Sequence, residues 1–84
     1  MLHKDVFCIR LKKIRKVRGE QQTDLAEAIG LSQAQISAIE NGKQGTSFDR
    51  LSAICLHYNV TADYFLGLID DPDPLYPQKK EGDV

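Results

Sequence analysis

The stretch QTDLAEAIGLSQAQISAIENG, running from Gln22 to Gly42, decides how the rest of the chain is read. Leu25, Ala26 and Ile29 recur at the spacing of one helical face, and Gly30 follows as a stop. Only Gly30, Leu31 and Ser32 intervene before a second periodic segment, whose inner stripe is Ile36 and Ile39. Ser32 is a good N-cap, because its hydroxyl can accept from a first-turn N–H that has no partner within the helix. Asn41 and Gly42 close the segment, since both tolerate the left-handed conformation that ends helices. Two short helices joined by a three-residue turn containing glycine make a helix-turn-helix corner. Many helical bundles contain such a spacing, so the flanks and the outward-facing residues have to carry the assignment.

Upstream, Phe7, Leu11 and Ile14 recur at i, i+4 and i+7, which predicts a helix from Asp5 to Arg18 ended by Gly19. Downstream, Lys43–Thr46 is a loop. Ser47 then caps a fourth helix with Phe48, Leu51, Ile54, Cys55 and Tyr58 on its core side and Asn59 as a left-handed terminator. Thr61 caps a short fifth helix carrying Tyr64, Phe65 and Leu66, with Asp63 near its positive end. Past Gly67 the composition turns to aspartate and proline, from Asp70 to Pro77, and cannot continue a helix. The expectation is an all-α chain: one compact five-helix domain over residues 1–67 and an acidic, Pro-containing tail over 68–84, at least partly disordered. No internal repeat is visible.

Length and charge set limits. A chain of 84 residues forms one thin core, and 42% apolar content is sufficient for it. No apolar run approaches the roughly 20 residues of a membrane span, and MLHKDVFCIR has no signal-peptide centre. Cys8 and Cys55 make neither a disulfide framework nor a metal knuckle, which points to the cytoplasm. Eleven basic against twelve acidic residues is a poor balance for a nucleic-acid binder. The distribution is different: residues 1–50 hold nine basic and six acidic side chains, residues 51–84 two and six. Seven of the basic ones fall within Met1–Arg18. The plain reading of such a run is a solvated helix face.

The 22–42 run resembles the Cro/repressor-type, lambda-repressor-like helix-turn-helix DNA-binding family, which shares Gln-x-x-Leu-Ala, a Gly turn, Ser-x-x-x-Ile-Ser and a closing Glu-Asn-Gly. The resemblance extends over residues 5–67, with Leu11 to Gly19 similar to the family's first helix and Leu51 to Gly67 to its fourth and fifth. It implies a compact five-helix lambda-repressor-like fold that binds double-stranded DNA through the third helix.

At about 100° per residue, Ile36 and Ile39 share one side of that helix, and Gln33, Ala34, Ser37, Ala38 and Asn41 fall on the other. The outer face has no charge and no large apolar group, which suits the major groove. Gln33 is the expected adenine reader, through a bidentate amide pair; Ala34 and Ala38 offer methyls to thymine, and Ser37 can bond a base edge or phosphate. Gln22, Ser32, Asn41, Lys43 and Gln44 are the expected backbone contacts, Gln22 helped by the free N–H groups of its first turn. For Lys43 the plain alternative is a solvated loop lysine, and for Asn41 a helix terminator. Arg15 and Glu40 match a pair that in the family bridges the first and third helices, so they are expected to orient the recognition helix.

The sequence departs from the family at Glu20 and Gln21, where an apolar residue and then Ser or Thr are usual. Gln21 is a poorer N-cap by about 1 kcal/mol. The expectation is a looser corner between the first two helices and a negative charge near the DNA side.

Other signals carry little. Cys55 stands where the family has a small core residue, and Cys8 lies near the first apolar stripe. His3 and His57 have no ligand spacing with either cysteine, so no metal or cofactor is expected. Asn59-Val60-Thr61 matches a glycosylation pattern that capping explains as well. The segment Gly42 to Thr46 lacks the order of a phosphate loop, and no catalytic constellation can be assembled. Leu56, Leu68, Ile69, Leu75 and Tyr76 are not needed by the core; Leu56, Leu68 and Ile69 are candidate contacts of a homodimer. The sequence thus predicts a non-enzymatic transcriptional regulator, a repressor binding a near-palindromic operator as a dimer, with no small-molecule ligand. The competing class is an antitoxin or adaptor whose acidic half binds a protein partner.

Overall fold

The computed structural model describes residues 4–75. Expectations for His3, Tyr76 and the tail from residue 76 to 84 lie outside the described residues. Five helices follow one another: α1 (Lys4–Val17), α2 (Gln22–Ile29), α3 (Gln33–Glu40), α4 (Phe48–Tyr58) and α5 (Ala62–Leu66). No strand occurs among the described residues.

Helices of eight residues are not stable alone, so packing holds them. Every helix contributes to one core: Leu11 from α1, Leu25 from α2, Ile36 and Ile39 from α3, Ile54 and Tyr58 from α4, and Phe65 from α5 are all essentially inaccessible. Each such side chain contributes about 1.5–3 kcal/mol on burial. Phe65 receives Phe7 and Tyr64 edge-on, at ring separations of 6.1 and 5.5 Å. α1 packs on α3 and α5, and α2 packs on α3 and α4.

The turn that sets α3 depends on Gly30 at φ +75°, where any larger residue is strained. Its N–H and that of Leu31 both donate to the Ala26 carbonyl. Ser32 then starts α3 with a reciprocal cap: the Gln35 N–H donates to Ser32 Oγ (3.1 Å), and the Ser32 N–H to Gln35 Oε1 (2.9 Å). Ser47 caps α4 through the Arg50 N–H, and Asn59 ends it at φ 55°.

Four local expectations need correction. Asn41 ends α3 at φ −91°, ψ 3°; Gly42, at φ +73°, takes the left-handed position. Phe48 is 91% exposed and outside the core. It lies about 120° around α4 from Ile54, so only its later turns face inward. Thr61 occupies the N-cap position of α5, but its hydroxyl makes no cap bond and is buried without a partner among the described residues. The cause is the chain past α5, which returns over this end: the Thr61 N–H donates to the Asp73 carbonyl (3.0 Å) and the Leu75 N–H to the Asn59 carbonyl (3.2 Å). Finally, the α1–α2 corner is tied down, as described next.

Candidate nucleic-acid interface

The outward side of α3 carries Gln33 and Ala34 exposed, Ser37 and Ala38 half-buried, and Asn41 exposed beyond them. Lys43 and Gln44 follow, both exposed, with their N–H groups donating to the Ala38 carbonyl. Gln35 turns back to cap its own helix and leaves this surface to its neighbours.

Behind the exposed face stands a chain of hydrogen bonds that begins in the core. Arg15 Nε donates to Glu40 Oε2 (2.7 Å) and Nη2 to Oε1 (3.1 Å), with side-chain exposures of 8% and 1%. The hydrogen bond to Glu40, outweighing the effect of burial, raises the Arg15 pKa above its already high ordinary value. Arg15 Nη1 also donates to the Glu20 carbonyl (2.7 Å). A carboxylate held by a guanidinium only accepts, so the side-chain nitrogen of Gln22 turns toward it, Nε2 to Glu40 Oε1 at 3.1 Å. The Gln22 oxygen then points outward and accepts from Gln33 Nε2 at 2.6 Å. The amide of Gln33 is thereby oriented from the core, with Oε1 and its second N–H left for a ligand. Further along, Asn41 Nδ2 donates to Ser37 Oγ at 3.3 Å. Gln21, Gln22, Thr23 and Gln33 line a depression of about 340 Å³ beside this face.

The structure thus brings Arg15, Glu40, Gln22 and Gln33 into one network and places Ala34, Ser37, Ala38 and Asn41 in line with it. Gln22, expected only to meet the DNA backbone, is a link between the ion pair and Gln33. Ser32 stands at the head of α3 with its hydroxyl oxygen occupied by the Gln35 N–H. Leu56 and Leu68 are exposed as expected of contact residues, whereas Ile69 packs against the core and its carbonyl accepts from Arg10.

Glu20 behaves differently from its expectation. Its carboxylate accepts from the Tyr58 hydroxyl (2.7 Å) and lies 2.8 Å from His57 Nε2, at the far end of α4. Burial first, and then the bond to Glu20, pushes the Tyr58 hydroxyl well above its ordinary pKa. The α2 start is also capped, since the Gln21 N–H donates to Asp24 Oδ2 (2.8 Å). Gly19, at φ +72°, turns the chain so that Glu20 faces α4. The corner is therefore cross-linked where the sequence pointed to looseness.

The basic front is also smaller than its count. Arg10 donates to the carbonyls of Tyr64 and Ile69 and lies 4.7 Å over the Tyr64 ring. Arg18 donates to the Tyr58 carbonyl and stacks on that ring. With Arg15 buried, the exposed cations among the described side chains of α1 are Lys12, Lys13 and Lys16, and Arg18 follows just past its end. No linear signal announces these partners, which lie 40 to 59 positions away.

Both described cysteines are buried thiols. Among the described residues no helix is long and apolar enough to cross a membrane, and no cluster of His, Cys, Asp or Glu could hold a metal.

The helix-turn-helix family profile matches residues 11–65. The Bacillus subtilis (strain 168) uncharacterized HTH-type transcriptional regulator YobD is 35% identical over 74 residues, 88% of this chain and 66% of that protein. The chain therefore spans just under two thirds of the length of that relative. In fold it is similar to the restriction-modification controller protein C.AhdI from Aeromonas hydrophila, with a TM-score of 0.69 and 21% identity over 74% of this chain and 94% of that one. It is similar also to the clp gene regulator ClgR from Corynebacterium glutamicum, with a TM-score of 0.70 and 24% identity over 75% of this chain and 67% of that one. The family match takes in α2, the Gly30 turn, α3 and the residues that hold them in place: the chain belongs to the helix-turn-helix family.

Proposed function

We propose that the chain is a sequence-specific, double-stranded-DNA-binding transcriptional regulator that acts as a repressor and binds a near-palindromic operator as a homodimer. The observation that carries this reading is the outward face of α3: small and uncharged, with Gln33 oriented through Gln22 by a buried ion pair. Gln33 reads adenine through the two amide positions left to it, and Ala34 and Ala38 meet thymine methyls. Ser37, steadied by Asn41, contacts a base edge. Ser32, Asn41, Lys43, Gln44 and the first-turn N–H groups at Gln22 fix the register on the phosphates. Arg15 and Glu40 are positioning residues. The names of YobD and ClgR, both regulators, support the same reading. The activity needs no cofactor, involves no catalysis, and belongs in the cytoplasm.

The test is the salt dependence of binding to random-sequence duplex. Lys43 and the α1 lysines should give a steep fall of log K with log salt, at about −0.9 per phosphate neutralised. A flat or absent response points instead to a protein-binding adaptor.

A further inference from the structure

The α1–α2 corner holds a titratable side chain that stands next to the amide network without belonging to it. His57 Nε2 lies 2.8 Å from Glu20 Oε2, and the other carboxylate oxygen of Glu20 accepts from the Tyr58 hydroxyl at 2.7 Å. Both partners sit in the last turn of α4, so one carboxylate ties the corner to the end of that helix. The backbone of the same residue serves the other side. The Glu20 carbonyl accepts from Arg15 Nη1 at 2.7 Å, and Arg15 holds Glu40. Glu40 in turn accepts from Gln22, and Gln22 from Gln33. Consecutive hydrogen bonds through Glu20 and its own backbone thus join the imidazole to the start of α2 and the head of α3. An exposed ion pair contributes little by itself. This pair differs because Glu20 is half-buried and its carbonyl and both carboxylate oxygens are engaged.

We infer that Glu20 and His57 are positioning residues for the Gln22–Gln33 face, and that their hold on it strengthens when the imidazole takes up a proton. A ring nitrogen facing a carboxylate has to carry a hydrogen, so the neutral ring is held as its Nε2–H tautomer and the added proton goes to Nδ1. The bond to Glu20 then becomes fully charge-assisted, and such bonds are roughly twice as strong as neutral ones. The cation also falls in the last turn of α4, at the negative end of the helix. The other charges around this corner are already committed or lie in solvent. Arg15 is taken by Glu40, and Arg18 by the carbonyl and ring of Tyr58. Asp24 of α2 accepts from the Gln21 N–H, while Asp63 of α5 and Asp73 of the returning chain are exposed. Apparent affinity for a ligand scales with the fraction of molecules already in the competent arrangement, so duplex binding should follow the proton. That consequence rests on the DNA-binding reading; the positioning itself rests on the geometry of the corner.

Two measurements on the whole chain test it. Without DNA, the side-chain amide resonances of Gln22 and Gln33 should shift between about pH 8 and about pH 5.5, the range in which an imidazole titrates, and should stay still in Glu20→Gln. With a random-sequence duplex, wild type should bind at least about 3-fold more tightly at the lower pH, within what a neutral and a charge-assisted hydrogen bond differ by. Glu20→Gln keeps the shape of the side chain and removes a negative charge, so simple attraction to phosphate predicts tighter binding. Loss of positioning predicts the reverse: no pH step, and weaker binding than wild type at the lower pH. His57→Lys, a cation at both pH values, should bind at the higher pH as wild type does at the lower, and should gain nothing once Glu20→Gln is added. Far-ultraviolet dichroism checks that each variant is folded; should Glu20→Gln unfold, a pH step that persists in His57→Lys overturns the inference. A pH step that survives in folded Glu20→Gln would show His57 acting on the duplex as a plain cation and would overturn it too. So would amide resonances that ignore pH, or a lysine gain that persists without Glu20. A chain that shows the amide shifts but binds no duplex at either pH would sink the DNA-binding reading and leave the positioning standing.

Discussion

The α2–α3 side and the outer side of α4 are opposite solutions to exposing a surface. On the α2–α3 side the outermost amide, Gln33, is bonded to Gln22, Gln22 to Glu40, and Glu40 to Arg15, so polarity is imposed on the surface from the core. On the α4 side Phe48 and Leu56 stand exposed beside an apolar groove that they help to line. The difference shows two ways of preparing a contact. A polar ligand that presents a fixed pattern of donors and acceptors is met by groups already oriented, so little ordering entropy is lost on binding. An apolar partner needs only shape and area, and burial of the ring supplies the driving force.

Breaking the polar side at its root should have the largest effect. Glu40→Ala leaves the Arg15 guanidinium buried without its carboxylate and should cost about 3–5 kcal/mol in urea unfolding. In a double-mutant cycle with Arg15→Ala the two losses should be strongly non-additive. Additive losses would mean that the pair seen in the core does not act as a unit. Phe48→Ser, by contrast, leaves the packing inside one chain intact.

Alkaline pH separates the two sides further. Burial pushes the Cys55 thiol, on the floor of the apolar groove, above its ordinary value of 9.0, and Tyr58 is pushed above its ordinary value of 10.0 on the polar side. Both groups keep their protons in the folded state at a pH where the unfolded chain has lost them. Their stabilisation is therefore complete below the unfolded values and is lost as pH rises through and beyond them, by about 1.4 kcal/mol per pH unit for each group. Unfolding free energy should begin to fall near pH 9 and fall more steeply above pH 10. Cys55→Ala should delay the onset, and Tyr58→Phe should remove the steeper part whatever its effect at neutral pH. Unchanged slopes in both variants would show that neither group is held protonated by the fold.

Much of this was legible residue by residue. Ser32 and Ser47 as caps, Gly30 and Asn59 as left-handed terminators, and the stripes Leu11–Ile14 and Ile36–Ile39 each follow from local chemistry, and the structure contains them. The Arg15–Glu40 contact came from family resemblance, and nothing in the spacing announces it. What stayed hidden depends on how distant elements meet. Glu20 reaches residues 37 and 38 positions away, and Arg10 reaches 54 and 59 positions along. Counting Arg10 and Arg15 in an outward basic front therefore overstates the charge available to a ligand. Apolar character alone puts Phe48 in the core, whereas its position on the first turn of α4 turns it away. From sequence Gln22 is a helix start and an expected backbone contact, and its link to Glu40 and Gln33 is visible only once α3 packs beside it.

The most direct test is selection from a random duplex library with wild type and Gln33→Ala in parallel. Wild type should return a site with two-fold symmetry and an adenine fixed in each half-site. Gln33→Ala, folded and retaining its affinity for random duplex, should return the same site with that one base pair relaxed. A variant that selects the wild-type site unchanged would contradict the assignment of base reading to the α3 face.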